Sequence, residues 1–187
     1  MWLAALSLPV FNGSTIVNKL LYPDATREWL GDYMAPQTND SEYIWEKGYG
    51  RGGSNKIKHR RSEINVDNLR YWEDHVDGPE YRVITVNDKI VQQFARFGDL
   101  RDRTYTWIPR ERLPERLRKR VRNSTRRLTN EIAPHSAIAW DVIWNPEVQR
   151  AFILEGNTSP GMNRFTAARI ANGIRALLQE ERSNASN

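Results

Sequence analysis

Cysteine is absent from the 187-residue chain, and histidine and methionine each occur only three times. Without cysteine there is no disulfide framework and no thiolate to serve as nucleophile or metal ligand. His59, His75 and His135 lack metal-ligand spacing, and no Ser-His-Asp or Cys-His nucleophile pair is legible. No apolar run approaches the roughly 18 residues that suggest a membrane span. The opening MWLAALSLPVF is apolar but has no basic segment before it. It reads as a strand or helix segment rather than a signal peptide. A cytoplasmic setting with no membrane partner is the expectation.

What is present describes a folded chain. Hydrophobic residues make up 39% and charged residues 27%, a balance that favours a packed domain over disorder. The net charge of +5 permits anionic partners: nucleotides, phosphates or nucleic acid. The excess is concentrated between Arg110 and Arg127, where nine basic residues meet two acidic ones, Glu111 and Glu115.

Periodicity sketches the elements. Asn18–Leu30 reads as helical, then Gly31 opens a loop ending at Pro36. Glu42–Lys47 and Asn68–Val76 read as short extended segments. Between them lie the glycine-rich loop GYGRGGS and a basic stretch, Lys56–Glu63, that could be strand or loop. Glu80–Val86 and Lys89–Ala95 predict a hairpin around Asn87-Asp88, because both runs are rich in β-branched residues. Phe97–Thr106 reads as a polar, arginine-bearing loop. Pro114 starts a helix to about Glu131, with Leu113, Leu117, Val121 and Leu128 on one stripe. Tyr105 and Trp107 are expected to seat that helix on the sheet. Ile138–Trp144 and Arg150–Asn157 predict a second hairpin, turned at Asn145-Pro146-Glu147. Thr166–Leu178 closes the chain as a helix, with Glu180–Asn187 frayed. Hairpins and helices without βαβ alternation imply an α+β fold.

Three constellations carry chemistry. The phrase AFILEGNTSPGMN places Glu155 and Asn157 two residues apart at a strand end, hence on one face, before the turn at Thr158-Ser159-Pro160-Gly161. The hairpin register puts Asp141 opposite Glu155. Two carboxylates that close would repel, and one would be driven toward protonation unless a cation lay between them. Hard oxygen ligands of this kind suit Mg²⁺, with its few protein ligands and room for phosphates; Mn²⁺ is the alternative ion. The second constellation is Lys47 followed by Gly48, Gly50, Gly52, Gly53 and Ser54. Glycines let several N–H groups approach a phosphate, and Lys47 adds a point charge. The Gly-Lys-Ser/Thr order of a P-loop is missing, and taken alone a surface turn explains the loop better. The third is EDHVDGPE, in which Glu73 and Glu80 flank an extended segment and a turn. The backbone of such a linker can read an adenine ring, and a carboxylate beyond it can hold ribose hydroxyls. Taken singly, both glutamates read as surface acids.

In this order the three resemble the ATP-grasp superfamily, over about Tyr43 to Asn172. LEGNTSPGM, WEDHVDGPEYRV and YIWEKGYGRGGSN are similar to motifs of D-alanine–D-alanine ligases and of short phage-type ATP-grasp proteins. The resemblance implies two antiparallel lobes clamping ATP, with residues 1–76 a truncated first lobe and 77–187 the metal-bearing second. It implies Lys47 on the α- and β-phosphates and the loop Gly50, Gly52, Gly53 and Ser54 closing over them. Glu73, His75 and Val76 would line the adenine and Glu80 the ribose. Asp141, Glu155 and Asn157 would hold Mg²⁺. Arg101 would stabilise the transferring phosphate, with Arg103 and Arg96 as rivals. Lys19 matches the family's first ATP-binding lysine, although it stands close to Lys47. Ala139-Trp140 precedes Asp141 where related ligases often carry an arginine, and the usual extra α/β domain is missing. The implied activity is a carboxylate–amine ligase, taking a peptide or amino acid and working through an acyl phosphate. The alternatives are a module binding nucleic acid or an acidic protein through helix 114–131, and a pseudoenzyme that binds ATP without turnover. A solvated amphipathic face accounts for that helix better than nucleic acid does.

Overall fold

The computed structural model describes residues 20, 23–38, 40–48, 56–97, 104–131, 135–158 and 163–185. Helix α1 covers Pro23–Leu30; proline suits a first turn whose N–H is unpaired in any case, and Asp24 faces the helix N-terminus. Strands β1 (Tyr43–Lys47), β2 (Lys56–Arg60) and β3 (Trp72–Asp74) form a small antiparallel sheet in the order β2-β1-β3. Strands β4 (Glu80–Val86), β5 (Lys89–Phe97), β6 (Thr104–Trp107), β7 (Ala137–Asn145) and β8 (Arg150–Asn157) form a larger one, β6-β5-β4-β7-β8. Helix α2 (Glu115–Glu131) lies between β6 and β7 in sequence, and α3 (Arg164–Ala185) follows β8.

Both expected hairpins form, with Asn87 and Gln149 supplying the left-handed residues their turns need. One face of the larger sheet is buried under α1 and α2. Leu117, Val121 and Leu128 pack there with Val83, Trp140, Val142 and Ile153, joined by Trp29 and Leu30. Those α2 residues recur at helical spacing, so the stripe read from the sequence is the stripe that packs. The opposite face is divided along its length. At one end Ile170 of α3 covers Ile84, Val86, Ala137 and Ala139. At the other end the sheet faces the small sheet.

The chain passes between the sheets across His75–Pro79. Gly78 has φ +146, and a Cβ there would lie 1.9 Å from the Trp144 carbonyl oxygen. Only glycine fits this crossing.

Three expectations change. Residues 104–107 are not loop but edge strand β6, with Phe94 opposite Trp107 and Arg96 opposite Tyr105. Its polar, half-exposed pattern has no buried face to betray it. Tyr105 and Trp107 do not seat α2: Tyr105 stacks under two arginines, and Trp107 is 53% exposed. The last helix continues to Ala185, held by a Lys89–Glu180 ion pair and a His135–Glu181 hydrogen bond. Among the described residues no helix is long and apolar enough to cross a membrane.

Candidate active site in the cleft between the sheets

Lys47 ends β1 directly opposite Lys56, the first residue of β2. Cross-strand partners share a face, so both ammonium groups leave the small sheet on the same side. Lys47 is only 6% exposed. Its Nζ pairs with Glu73 and donates to the Leu154 carbonyl oxygen on β8 at 3.0 Å. Glu73, 1% exposed, also accepts from the Tyr71 hydroxyl at 2.7 Å and pairs with Arg27 at 3.5 Å. Burial lowers the Lys47 pKa, while Glu73 pulls it back up. Burial and then the charge of Glu73 push Tyr71 up, keeping its hydroxyl a donor.

The larger sheet answers with five charged groups: Glu80 and Arg82 on β4, Arg96 on β5, Asp141 on β7 and Glu155 on β8. Asp141 and Glu155 are register partners, and a bulge follows at once between Asp141 and Val142. Glu155 accepts from Lys56 at 2.7 Å and from the Asn157 amide at 3.1 Å. Burial alone would raise Glu155, but Lys56, joined by Asp141 and Lys47, outweighs it and takes the carboxyl down to about 2. Asp141 is clamped on its other side by Arg82 through two 2.7 Å bonds, Nε to Oδ1 and Nη2 to Oδ2. Burial pushes Asp141 up despite that clamp. Arg82 sits 4.6 Å from the Tyr105 ring and Arg96 5.6 Å. Arg96 pairs with Glu80, its register partner, yet its Nη2 is buried without a hydrogen-bond partner.

The linker supplies the far wall. The Trp45 indole N–H donates to His75 Nδ1 at 2.9 Å, and His75 Nε2 lies 3.1 Å from Asp77. That assigns the ring proton to Nε2. Burial and then Lys58 lower the His75 pKa, against Asp77. Together with Val76, Ile143 and Leu154, Trp45 and His75 line a small cleft that is partly open to solvent.

The structure thus gathers Lys47, Glu73, His75, Val76 and Glu80 around one cleft. Asp141, Glu155 and Asn157 stand beside it on the larger sheet. Glu73 lines the cleft with His75 and Val76, and its carboxylate neutralises Lys47, because an enclosed ammonium requires a counter-charge. Lys19, Gly50, Gly52, Gly53, Ser54, Arg101 and Arg103 lie outside the described residues. Sequence reasoning missed Lys56 and Arg82. The pleat could have found Arg82, since it shares the face of Glu80 and, once β4 and β7 are paired, meets Asp141. Two carboxylates and an amide are a hard donor set that fits Mg²⁺. Among the described residues no group of three His, Cys, Asp or Glu side chains is gathered for a metal.

No protein-family model and no curated protein sequence matches the chain. Solved structures do. The ATP-grasp ligase PsnB, complexed with minimal precursor, Mg and ADP, matches with a TM-score of 0.61 at 14% identity, over 89% of this chain and 58% of its own. D-alanine–D-alanine ligase from Bacillus anthracis complexed with ATP matches at 0.61 and 14%, over 96% and 75%. The chain has the ATP-grasp fold. A third ATP-grasp match is the ADP complex of PurK, N5-carboxyaminoimidazole ribonucleotide synthetase, at 0.61 and 16%, over 85% and 50%. The chain spans 58–60% of the length of the PsnB chains it matches. Within the ATP-grasp fold, the cleft described above is the one between the two sheets.

Proposed function

We propose that the chain is an ADP-forming, Mg²⁺-dependent carboxylate–amine ligase that takes a peptide or amino acid. The observation that carries this reading is the pairing of charge at and beside the cleft. Lys47 with Glu73, Lys56 with Glu155, Arg82 with Asp141 and Arg96 with Glu80 bring cations and carboxylates from both sheets to one opening. Such a site can receive a polyphosphate and a divalent cation together without burying net charge.

In this reading Lys47 and the loop containing Gly50, Gly52, Gly53 and Ser54 hold the α- and β-phosphates, with Lys19 contributing from the preceding segment. Glu73 holds Lys47 in place; His75 and Val76 line the adenine, and Glu80 takes the ribose. Asp141, Glu155 and Asn157 hold Mg²⁺, with Mn²⁺ as the alternative, and the ion neutralises phosphate charge. A substrate carboxylate oxygen attacks the γ-phosphorus, the bond to the β–γ bridging oxygen breaks, and ADP leaves. An amine then attacks the acyl carbon, loses its proton and expels phosphate. Arg101 stabilises the transferring group, and Arg96, with its unpaired buried Nη2, is its rival among the described residues. Positioning and charge neutralisation supply the rate enhancement.

Calorimetry with a non-hydrolysable ATP analogue tests the reading. Binding is expected only with Mg²⁺, and it is lost in Glu155→Ala and Lys47→Met. ADP release is expected only when both a carboxylate and an amine are supplied. Wild-type protein that binds no nucleotide in the presence of Mg²⁺ overturns the proposal. Tight binding without ADP from any pool of amino acids and peptides selects the pseudoenzyme.

A further inference from the structure

Lys56 reaches further across the molecule than its place in a short edge strand suggests. Its Nζ spans the cleft from β2 to Glu155 Oε2 on β8 at 2.7 Å, with 14% of the Lys56 side chain and 27% of that of Glu155 exposed. The contact puts a monovalent cation on a carboxylate assigned above to a divalent one. An ammonium and a Mg²⁺ bound at about 2.1 Å repel each other across one carboxylate, so each weakens the other's hold on Glu155. Lys47 cannot play this part, since it is enclosed with its own acid, Glu73, and held by the Leu154 carbonyl. Lys56 stands opposite Lys47 in register. On leaving Glu155 it therefore swings into the same cleft, next to the lysine assigned to the phosphates.

We propose that Lys56 is a movable placeholder: it occupies the metal-site carboxylate while the cleft is empty, and passes from Glu155 to the nucleotide's terminal phosphates when the divalent cation binds. The proposal rests on the MgATP reading of the site. The exchange leaves no charge unpaired, because the metal takes Glu155 and the phosphate oxygens take the ammonium. Either ligand alone meets an obstacle. A metal ion without nucleotide must displace Lys56 with no anion to receive it, and a nucleotide without metal must compete with Glu155 for Lys56. Each ligand removes the obstacle to the other, so their binding is coupled, and reciprocally.

The experiment measures Mn²⁺ binding by electron paramagnetic resonance, with and without a non-hydrolysable ATP analogue. It compares wild type, Lys56→Met and Lys56→Arg, each checked for folding by circular dichroism. In wild type the analogue is expected to tighten Mn²⁺ on the order of tenfold or more. In Lys56→Met, Mn²⁺ alone should bind several-fold tighter than in wild type. The analogue should bind more weakly, and the coupling factor should fall below the wild-type value, to the part that comes from direct contact between metal and phosphates. Lys56→Arg, which keeps the charge, should retain most of the coupling. If Lys56→Met binds Mn²⁺ alone no more tightly and keeps the wild-type coupling, the placeholder is overturned while the MgATP reading stands. If wild type binds neither Mn²⁺ nor the analogue, both fall. Should Lys56→Met not fold, Lys56→Gln serves in its place with the same expected and overturning outcomes.

Discussion

An enclosed ammonium requires its counter-charge close by, and Lys47 has it in Glu73, which is itself fastened by Tyr71 and Arg27. Breaking such a pair on one side leaves a buried charge alone, at a cost of about 3–5 kcal/mol. Glu73→Ala is therefore expected to lower the stability measured by urea denaturation by that order. The double variant Lys47→Met, Glu73→Leu, which removes both charges, should recover much of the loss. Additive losses in the double variant would mean that the two groups do not act as a pair. His75 provides a pH handle. Its folded pKa lies below the ordinary value near 6.5, so between the two values the unfolded chain holds more protons. Its contribution to stability is complete above about pH 6.5 and is lost as the pH falls through the folded value. Lys58, Asp77 and Glu80 are the charged groups that act on it. His75→Gln keeps an acceptor for the Trp45 indole but does not titrate. The fall in urea midpoint from pH 7 to pH 5 should become shallower in that variant, and an unchanged slope would exonerate His75.

At the scale of the element, Gly156 is what lets β8 pack against Trp140 and Leu20. A Cβ there would come within 2.9 Å of the buried Trp140 ring and 3.1 Å of the Leu20 methyls. Gly156→Ala should cost about 1–3 kcal/mol in thermal or urea melts, as overpacking does. It should also weaken Mn²⁺ binding, because Glu155 and Asn157 flank it. Wild-type stability in that variant would show that Trp140 can yield. The first hairpin was legible because β-branched runs around a polar turn have few other uses; in the second the turn position alone would set Asp141 opposite Leu154, and the bulge before Val142 brings Glu155 there instead. Strand β6 was not legible, since an edge strand with one partner needs no buried face. The basic helix α2 was legible in extent but not in consequence. Arg122 and Arg126 pair with Asp88, Arg127 with Glu131, and Arg120 donates to the Asp32 carbonyl. Much of its charge is answered within the chain.

For the whole molecule, the decisive feature is that two sheets meet through charge. Lys47 reaches the Leu154 carbonyl and Lys56 reaches Glu155, both on β8, so the small sheet is tied to the larger one at the rim of the cleft. Ligand that enters there should stabilise the folded chain by mass action, by about 2.7 kcal/mol at a hundredfold excess over the dissociation constant. A rise in melting temperature is expected with a Mg²⁺-bound ATP analogue, to be lost in Glu155→Ala, and read by differential scanning fluorimetry. A rise that persists in Glu155→Ala would place the ligand elsewhere. By itself the sequence determined the α+β class, both hairpins, the apolar stripe of α2 and, to within one residue, the place of Asp141 across the hairpin from Glu155. All of these follow from periodicity and turn chemistry within a few tens of residues. Only the tertiary structure decided which cation meets which carboxylate. Arg82 lies 59 residues from Asp141 and Lys56 lies 99 from Glu155. No local pattern encodes such partners; they are chosen by how the strands pair and how the two sheets close on each other.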